Sequence, residues 1–141
     1  MKVLVDTNIV LDVLLSREPF AGPAAEIFAL AEQSRMDAFL CATTITTIDY
    51  LLGRSLPARA ARGALRKLLR LFEVATVNRS VIERALASRI GDFEDAVLTA
   101  SGQEAGVDCI VTRNTKDFAG SGMRVFDPAE FLAQFKDGSG G

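Results

Sequence analysis

The sequence predicts an α/β fold, a parallel sheet covered by helices on both faces. Short aliphatic runs, beginning with Lys-Val-Leu-Val at residues 2–5, alternate with longer segments whose apolar residues recur at helical spacing. The connections between them are short, as in consecutive strand–helix–strand units. A chain of 141 residues, 49% apolar and with nine Phe, makes one domain with a sizeable core. Its formal net charge of −2 gives no global attraction to nucleic acid, so any such contact needs a local patch.

Lys2–Val5 reads as a buried strand and residues 9–15 as a helix, which places Asp6 where a strand ends and a helix begins. Ligands of open α/β sheets bind at that carboxyl edge. A buried Asp is costly there unless it caps the following helix, is paired, or holds a cation. Residues 17–23, with Pro19, Gly22 and Pro23, read as a loop, and Ile27, Leu30 and Ala31 mark a helix over 24–34. Residues 38–41 suit a second strand. Thr43 or Thr44 then caps a helix running to about residue 53, with Ile45, Ile48, Leu51 and Leu52 on its apolar face.

Residues 54–70 are the strongly basic run: Arg54, Arg59, Arg62, Arg66, Lys67 and Arg70 occur without an intervening acid. Pro57 suits the first turn of a helix. On it Arg59, Arg62, Arg66 and Arg70 form one stripe and Leu65, Leu68 and Phe72 another. The basic stripe is either a solvated face or a phosphate-contacting surface. Residues 74–77 give a third strand and 80–88 a helix, broken at Gly91. Asp92 opens a further helix to about residue 104, closed by Gly106. Residues 107–111 form a fourth strand, Gly120 and Gly122 a loop, 124–126 a last strand and 128–135 a final helix. Residues 1–136 are expected to be the domain and 137–141 a flexible tail.

The absence of histidine excludes Ser-His-Asp and Cys-His catalysis and His-ligated zinc. Cys41 and Cys109 lack zinc or redox spacing and read as small buried hydrophobes in a reducing compartment. Asp6 interrupts the apolar run a signal peptide would need, and no stretch reaches about 18 uninterrupted apolar residues. A cytoplasmic chain without membrane association is expected.

Chemistry must therefore rest on carboxylates, amides and hydroxyls. Asp92 and Asp95, three apart at a helix start, project from one face of its first turn; taken alone they also suit a capping arrangement. Asp117 follows the fourth strand, three residues after Asn114, where a turn residue is the plainer reading. Together with Asp6, these acids fall near one sheet edge. Carboxylates about 4 Å apart repel by roughly 4 kcal/mol per pair at an effective dielectric near 20. A divalent cation relieves that repulsion, and oxygen-only ligands suit Mg²⁺ or Mn²⁺. Metal-assisted phosphodiester hydrolysis is the chemistry such a site performs.

Val3-Leu-Val-Asp6-Thr-Asn8, Asp92-Phe-Glu-Asp95-Ala-Val-Leu and Ile110-Val-Thr112-Arg-Asn114-Thr-Lys-Asp117-Phe118 resemble, in order and spacing, the three main motifs of the PIN-domain nucleases. The resemblance spans residue 1 to about 135. It implies a Rossmann-like three-layer sandwich with a mostly parallel sheet and Mg²⁺- or Mn²⁺-dependent endoribonuclease activity. It also implies a relation to VapC-type toxins of toxin–antitoxin pairs, and thus an antitoxin partner, a homodimer, and an RNA substrate such as tRNA or rRNA. By this resemblance Asp6, Asp95 and Asp117 are metal ligands, with Asp92 an extra acid. Asn8, Thr112 and Asn114 match supporting positions. Arg113, Lys116 and the stripe of Arg59, Arg62, Arg66 and Arg70 are candidate phosphate contacts.

One departure stands out. The family pattern Thr-x-x-Glu on the helix after the second strand aligns here with Thr47 at the Glu position and Asp49 two residues on. Two residues is about 200° around a helix, so either the helix register differs and Asp49 serves as the outer ligand, or the set lacks one acid and Asp92 substitutes. A PIN-like RNA- or protein-binding module with weak or no catalysis is the resulting alternative. A phosphotransferase using Asp6 as nucleophile, in the manner of haloacid-dehalogenase-like enzymes, expects a second Asp where Asn8 stands.

Overall fold

The structure, a computed structural model, describes residues 1–136, and the expected tail lies outside the described residues. Strands β1 (Lys2–Val5), β2 (Asp37–Cys41), β3 (Glu73–Ala75), β4 (Cys109–Val111) and β5 (Arg124–Phe126) form one parallel sheet in the order β3-β2-β1-β4-β5. Helices α1 (Thr7–Leu14), α2 (Ala21–Glu32), α3 (Ala42–Leu52), α4 (Ala58–Leu71), α5 (Arg79–Leu86), α6 (Phe93–Ala105) and α7 (Pro128–Lys136) cover it.

Side-chain alternation along the central strands creates the layers. Val3 and Val5 enter one core with residues of α1, α2, α3, α4 and α7, whereas Leu4 enters the other with α5 and α6. In the β1–β4 register Val3 lies opposite Cys109, Leu4 opposite Ile110 and Val5 opposite Val111. Cys109 and Val111 accordingly join the first core and Ile110 the second. Both faces of a parallel sheet need such covering, and the expected three-layer α/β architecture is present.

The chain moves outward from β1 through β2 to β3, then crosses to β4 on the other side of β1. The strand order therefore reverses between β1 and β4. Their carboxyl ends carry Asp6 and Thr112, and a crevice at such a reversal is where open α/β sheets bind ligands.

Two glycines position α6 against this edge. A Cβ on Gly102 would lie 2.9 Å from Leu4 Cδ2 and 3.1 Å from Val107 Cγ2, so the helix reaches the sheet only because no side chain intervenes. Gly106 ends the helix in the left-handed conformation, φ 77°, as a C-terminal glycine does.

Several local expectations are corrected. Thr43 and Thr44 do not cap α3: the cap position is Cys41, and both threonines lie within the first helical turn. Their hydroxyls are used sideways, Thr43 Oγ1 on Cys41 Sγ at 3.2 Å and Thr44 Oγ1 on Thr7 Oγ1 at 2.9 Å. The loop expected through residue 23 ends sooner, because Pro23 fits the first turn of α2, where N–H groups have no intrahelical partner. Pro57 stands immediately before α4 rather than inside it. Strand β3 stops at Ala75, and the Thr76 carbonyl instead accepts from Ser101 Oγ at 2.7 Å.

Candidate active site

Asp6 is 7% exposed and its carboxylate is held at both oxygens. Its Oδ1 accepts from the Thr7 N–H at 2.7 Å, since Asp6 is the N-cap of α1. Its Oδ2 accepts from Thr112 Oγ1, also at 2.7 Å. The strands enforce this meeting: the Asp6 N–H donates to the Val111 carbonyl at 3.0 Å, which sets the two strand ends side by side. Thr112 is fully buried, and its Oγ1 accepts from the Asn114 N–H at 3.1 Å while giving its proton to Asp6. The capping role and the supporting-hydroxyl role therefore coexist.

Asp92 caps α6, its Oδ1 accepting from the Asp95 N–H at 2.9 Å. This fixes the first turn, which carries Glu94 and Asp95. Asp117 sits in a short 3-10 helix (Thr115–Phe118) whose turn begins at Asn114, the Asp117 N–H donating to the Asn114 carbonyl at 3.0 Å. Phe118 anchors that turn in the core.

Electrostatics shows that these acids form one group. Burial is the first cause raising the Asp95 carboxyl from an ordinary 3.8 to about 7, followed by the charges of Asp6, Asp92, Asp117 and Glu94. Asp6 is raised too, first by burial; the Thr112 hydroxyl and Thr7 N–H oppose this, while Glu94 and Asp117 add to it. Among the described residues none of these five carboxylates has an ion-pair partner. Asp49 on α3 is not among the charges raising Asp6 or Asp95. As the side chains stand, no three acids among the described residues are gathered closely enough to hold a metal ion. The donor set nevertheless fits a hard divalent cation: oxygen donors, mutually repelling and without a resident cation.

The candidate phosphate contacts are scattered. Lys116 is exposed on the 3-10 helix beside Asp117. Arg113 is turned away: its Nε donates to Asp12 Oδ2 at 2.7 Å, its Nη2 to Asp12 Oδ1 at 3.3 Å, and its guanidinium lies 3.9 Å from the Phe20 ring centroid. Arg59, Arg62, Arg66 and Arg70 are all exposed on α4. Arg70 borders a hollow with Lys2, Asp37 and Glu73, residues that begin β1, β2 and β3, so it lies at the edge opposite Asp6. The stripe thus leads away from the acids over about 20 Å of helix. The side chain of Asn8 is half-buried, and its Oδ1 is buried without a hydrogen bond.

Two residues beside the candidate set escape motif reading. Asp12 is fully buried and braced by Arg113 and by Arg17, whose Nε lies 2.9 Å from Asp12 Oδ1. An acid within the apolar run 9–15, with Arg17 five residues on, signals a buried ion pair. Glu94 adds charge to Asp6 and Asp95, yet its neighbours Asp92 and Asp95 draw attention from it.

A family model described as PIN domain matches residues 2–116. The chain belongs to the PIN-domain family. The solved structures most like this PIN domain include a toxin–antitoxin complex from Klebsiella pneumoniae, 27% identical, with TM-score 0.66, covering 89% of this chain and 97% of that one. VapBC-1 from nontypeable Haemophilus influenzae is 15% identical, with TM-score 0.67 over 92% of this chain and 99% of that one. The sarcin–ricin loop cleaving toxin VapC20 of Mycobacterium tuberculosis is 21% identical, with TM-score 0.66 over 86% and 95%. The last two likenesses concern the fold alone. No curated protein matches this PIN domain. Among the described residues, no helix is long and apolar enough to cross a membrane.

Proposed function

We propose that this PIN domain is a Mg²⁺- or Mn²⁺-dependent endoribonuclease and the toxin of a toxin–antitoxin pair, acting in the cytoplasm. The observation that carries the reading is the set of carboxylates without an ion pair among the described residues at the point where strand order reverses: Asp6 and Asp95, raised first by burial, with the charges of Asp117 and Glu94 adding to both and that of Asp92 to Asp95. The likeness to a toxin–antitoxin complex supports an antitoxin partner, and the likeness to a sarcin–ricin loop cleaving toxin is in keeping with the same activity.

In this reading Asp6, Asp95 and Asp117 would hold the cation, with Asp92 as a further acid beside them. When bound, the cation lowers the pKa of an attacking water and stabilises charge developing on the scissile phosphate. The chain's own residues prepare the site. Thr112 and the Thr7 N–H fix the Asp6 carboxylate, so one acid is oriented before any ligand arrives. Asp92 orders the turn bearing Asp95. Asp95, raised to about 7 without the cation, is the acid that would give up its proton near neutrality as the cation binds. Lys116 supplies positive charge to a flanking phosphate. Homodimerisation is part of the proposal by family likeness.

Cleavage of single-stranded RNA in Mn²⁺, with growth arrest on expression that Asp6→Ala relieves, is the expected result. Cleavage unaffected by Asp6→Asn and Asp95→Asn would sink the reading. The second reading, a PIN-like binding module, draws on the acids not yet gathered at metal-holding distance and on Thr47 at the expected Glu position. Wild-type protein that binds RNA tightly in EDTA and cleaves none of it would favour that reading.

A further inference from the structure

We infer that the outward face of α4 holds the phosphodiester backbone of the RNA, seated over Gly63 among Arg59, Arg62, Arg66 and Lys67. The inference rests on the nuclease reading above and deepens it by naming a surface that grips substrate away from the acids. Residues 54–70 contain Arg54, Arg59, Arg62, Arg66, Lys67 and Arg70 and no acid, in a chain whose net charge is −2.

Packing turns these charges outward. Ala61 and Leu68 are buried in the first core, and Ala64, Leu65 and Leu71 pack against it. The side of α4 bearing Arg59, Arg62 and Arg66 is the opposite one, and all three are exposed. None of the six cations enters a hydrogen bond, ion pair or ring contact among the described residues. That is not the habit of this chain: Arg17, Arg79, Arg84 and Arg113 pair with acids, and Arg35 and Arg124 lie over rings. Arg70 shares its hollow with Lys2, Asp37 and Glu73, so charge balances at that end of the helix. The proposal therefore stands on Arg59, Arg62, Arg66 and Lys67.

Gly63 lies among these four, one turn from Arg59 and from Lys67. A Cβ there would meet nothing within 4 Å, so packing does not require the glycine. It nonetheless weakens a helix interior relative to alanine. What it provides is a bare floor on which a phosphate can settle between the cations.

Length and composition choose the occupant. From Arg59 to Lys67 the stripe covers about 12 Å of helix, which suits a repeating anion better than a single one. Among the described residues of α4 one large apolar side chain is exposed, Leu69. A protein interface or a membrane surface needs a wider apolar contact. A nucleic-acid backbone is bound by neutralising its phosphates, which needs none. The nuclease reading makes that nucleic acid RNA.

Anisotropy of fluorescein-labelled icosauridylate in EDTA, measured across a range of KCl concentrations, tests the assignment without catalysis. A variant carrying Arg59→Gln, Arg62→Gln and Arg66→Gln should keep its thermal midpoint and bind about tenfold more weakly at low salt. Its slope of log affinity against log salt should be shallower by about 2, for three phosphates released. Gly63→Gln should move two readings in opposite directions, the midpoint up and the RNA affinity down. Affinity unchanged in either variant overturns the proposal, as does a loss in the triple variant with the salt slope unaltered. Tighter binding of duplex DNA than of RNA, or binding of phosphatidylserine vesicles without binding of RNA, overturns it in favour of those partners. Wild-type cleavage in Mn²⁺ with affinities unchanged in both variants ends the stripe alone. The expected losses in a protein that cleaves no RNA support the stripe and end the nuclease reading.

Discussion

Replacing Asp95 with Asn should stabilise the protein while abolishing its chemistry. Asp95 is raised from 3.8 to about 7 by burial and by four neighbouring acids, so the folded state retains a proton that the unfolded state has already released. Stability then falls as pH rises from about 4, where the unfolded carboxyl ionises, to about 7, where the folded one does. Left unscreened, the shift corresponds to about 4 kcal/mol against the fold above pH 8. The carboxyl is partly open to water, and screening leaves about 1–2 kcal/mol. A few tenths are returned because a first-turn carboxylate favours the helix N-terminus. For a domain of this size that is a rise of about 3–6 °C in Tm. Differential scanning calorimetry of wild type and Asp95→Asn in EDTA, from pH 4 to 8.5, is the assay. The curves should coincide near pH 4 and separate steadily to pH 8, the variant lying higher. A variant no more stable than wild type at pH 8 would refute the reasoning that these acids share one field.

Thr112→Val removes the hydroxyl that donates to Asp6 while keeping the shape. It should cost about 1–2 kcal/mol by urea unfolding and, on the proposed metal-binding reading, reduce the thermal shift on adding Mn²⁺. Arg113→Ala leaves fully buried Asp12 with Arg17 alone, and a loss of about 2 kcal/mol in the same assay is expected; an unchanged midpoint would mean that solvent already relieves Asp12. Gly102→Ala places a Cβ 2.9 Å from Leu4 Cδ2 and should destabilise by about 1–3 kcal/mol through displacement of α6, read by thermal unfolding and by slowed RNA cleavage.

Much of this organisation is legible in the chain because it is local. Asp6 after a buried strand, Asp92 three residues before Asp95, and Gly106 past an apolar run each carry their own cap chemistry. The structure makes those contacts at Asp6 and Asp92. The pairing of Thr112 with Asp6 follows once β1 and β4 are neighbours, a fact set by strand order over more than a hundred residues and not by any motif. Arg113 shows the limit more clearly. Beside Thr112 in sequence it reads as a phosphate contact, yet Asp12 and Phe20, both distant in the chain, compete for its guanidinium. The basic stripe likewise has the expected spacing on α4, but spacing does not reveal that Arg70 ends at the opposite sheet edge. Threonines near a helix start suggest a cap, yet α3 begins at Ala42, and the Thr44 hydroxyl instead meets Thr7, a partner distant in the chain.

Calorimetric titration of the metal-free protein with Mn²⁺ at pH 7, in buffers of low and high ionisation enthalpy, reaches the shared acidic rim most directly. Asp95 should hold about half a proton at that pH, and a cation needs carboxylates without their protons. Saturable binding, an apparent enthalpy that changes with buffer, and loss of both in Asp6→Asn are the predicted results. Heat without saturation, or binding in Asp6→Asn equal to wild type and indifferent to buffer, would contradict the account.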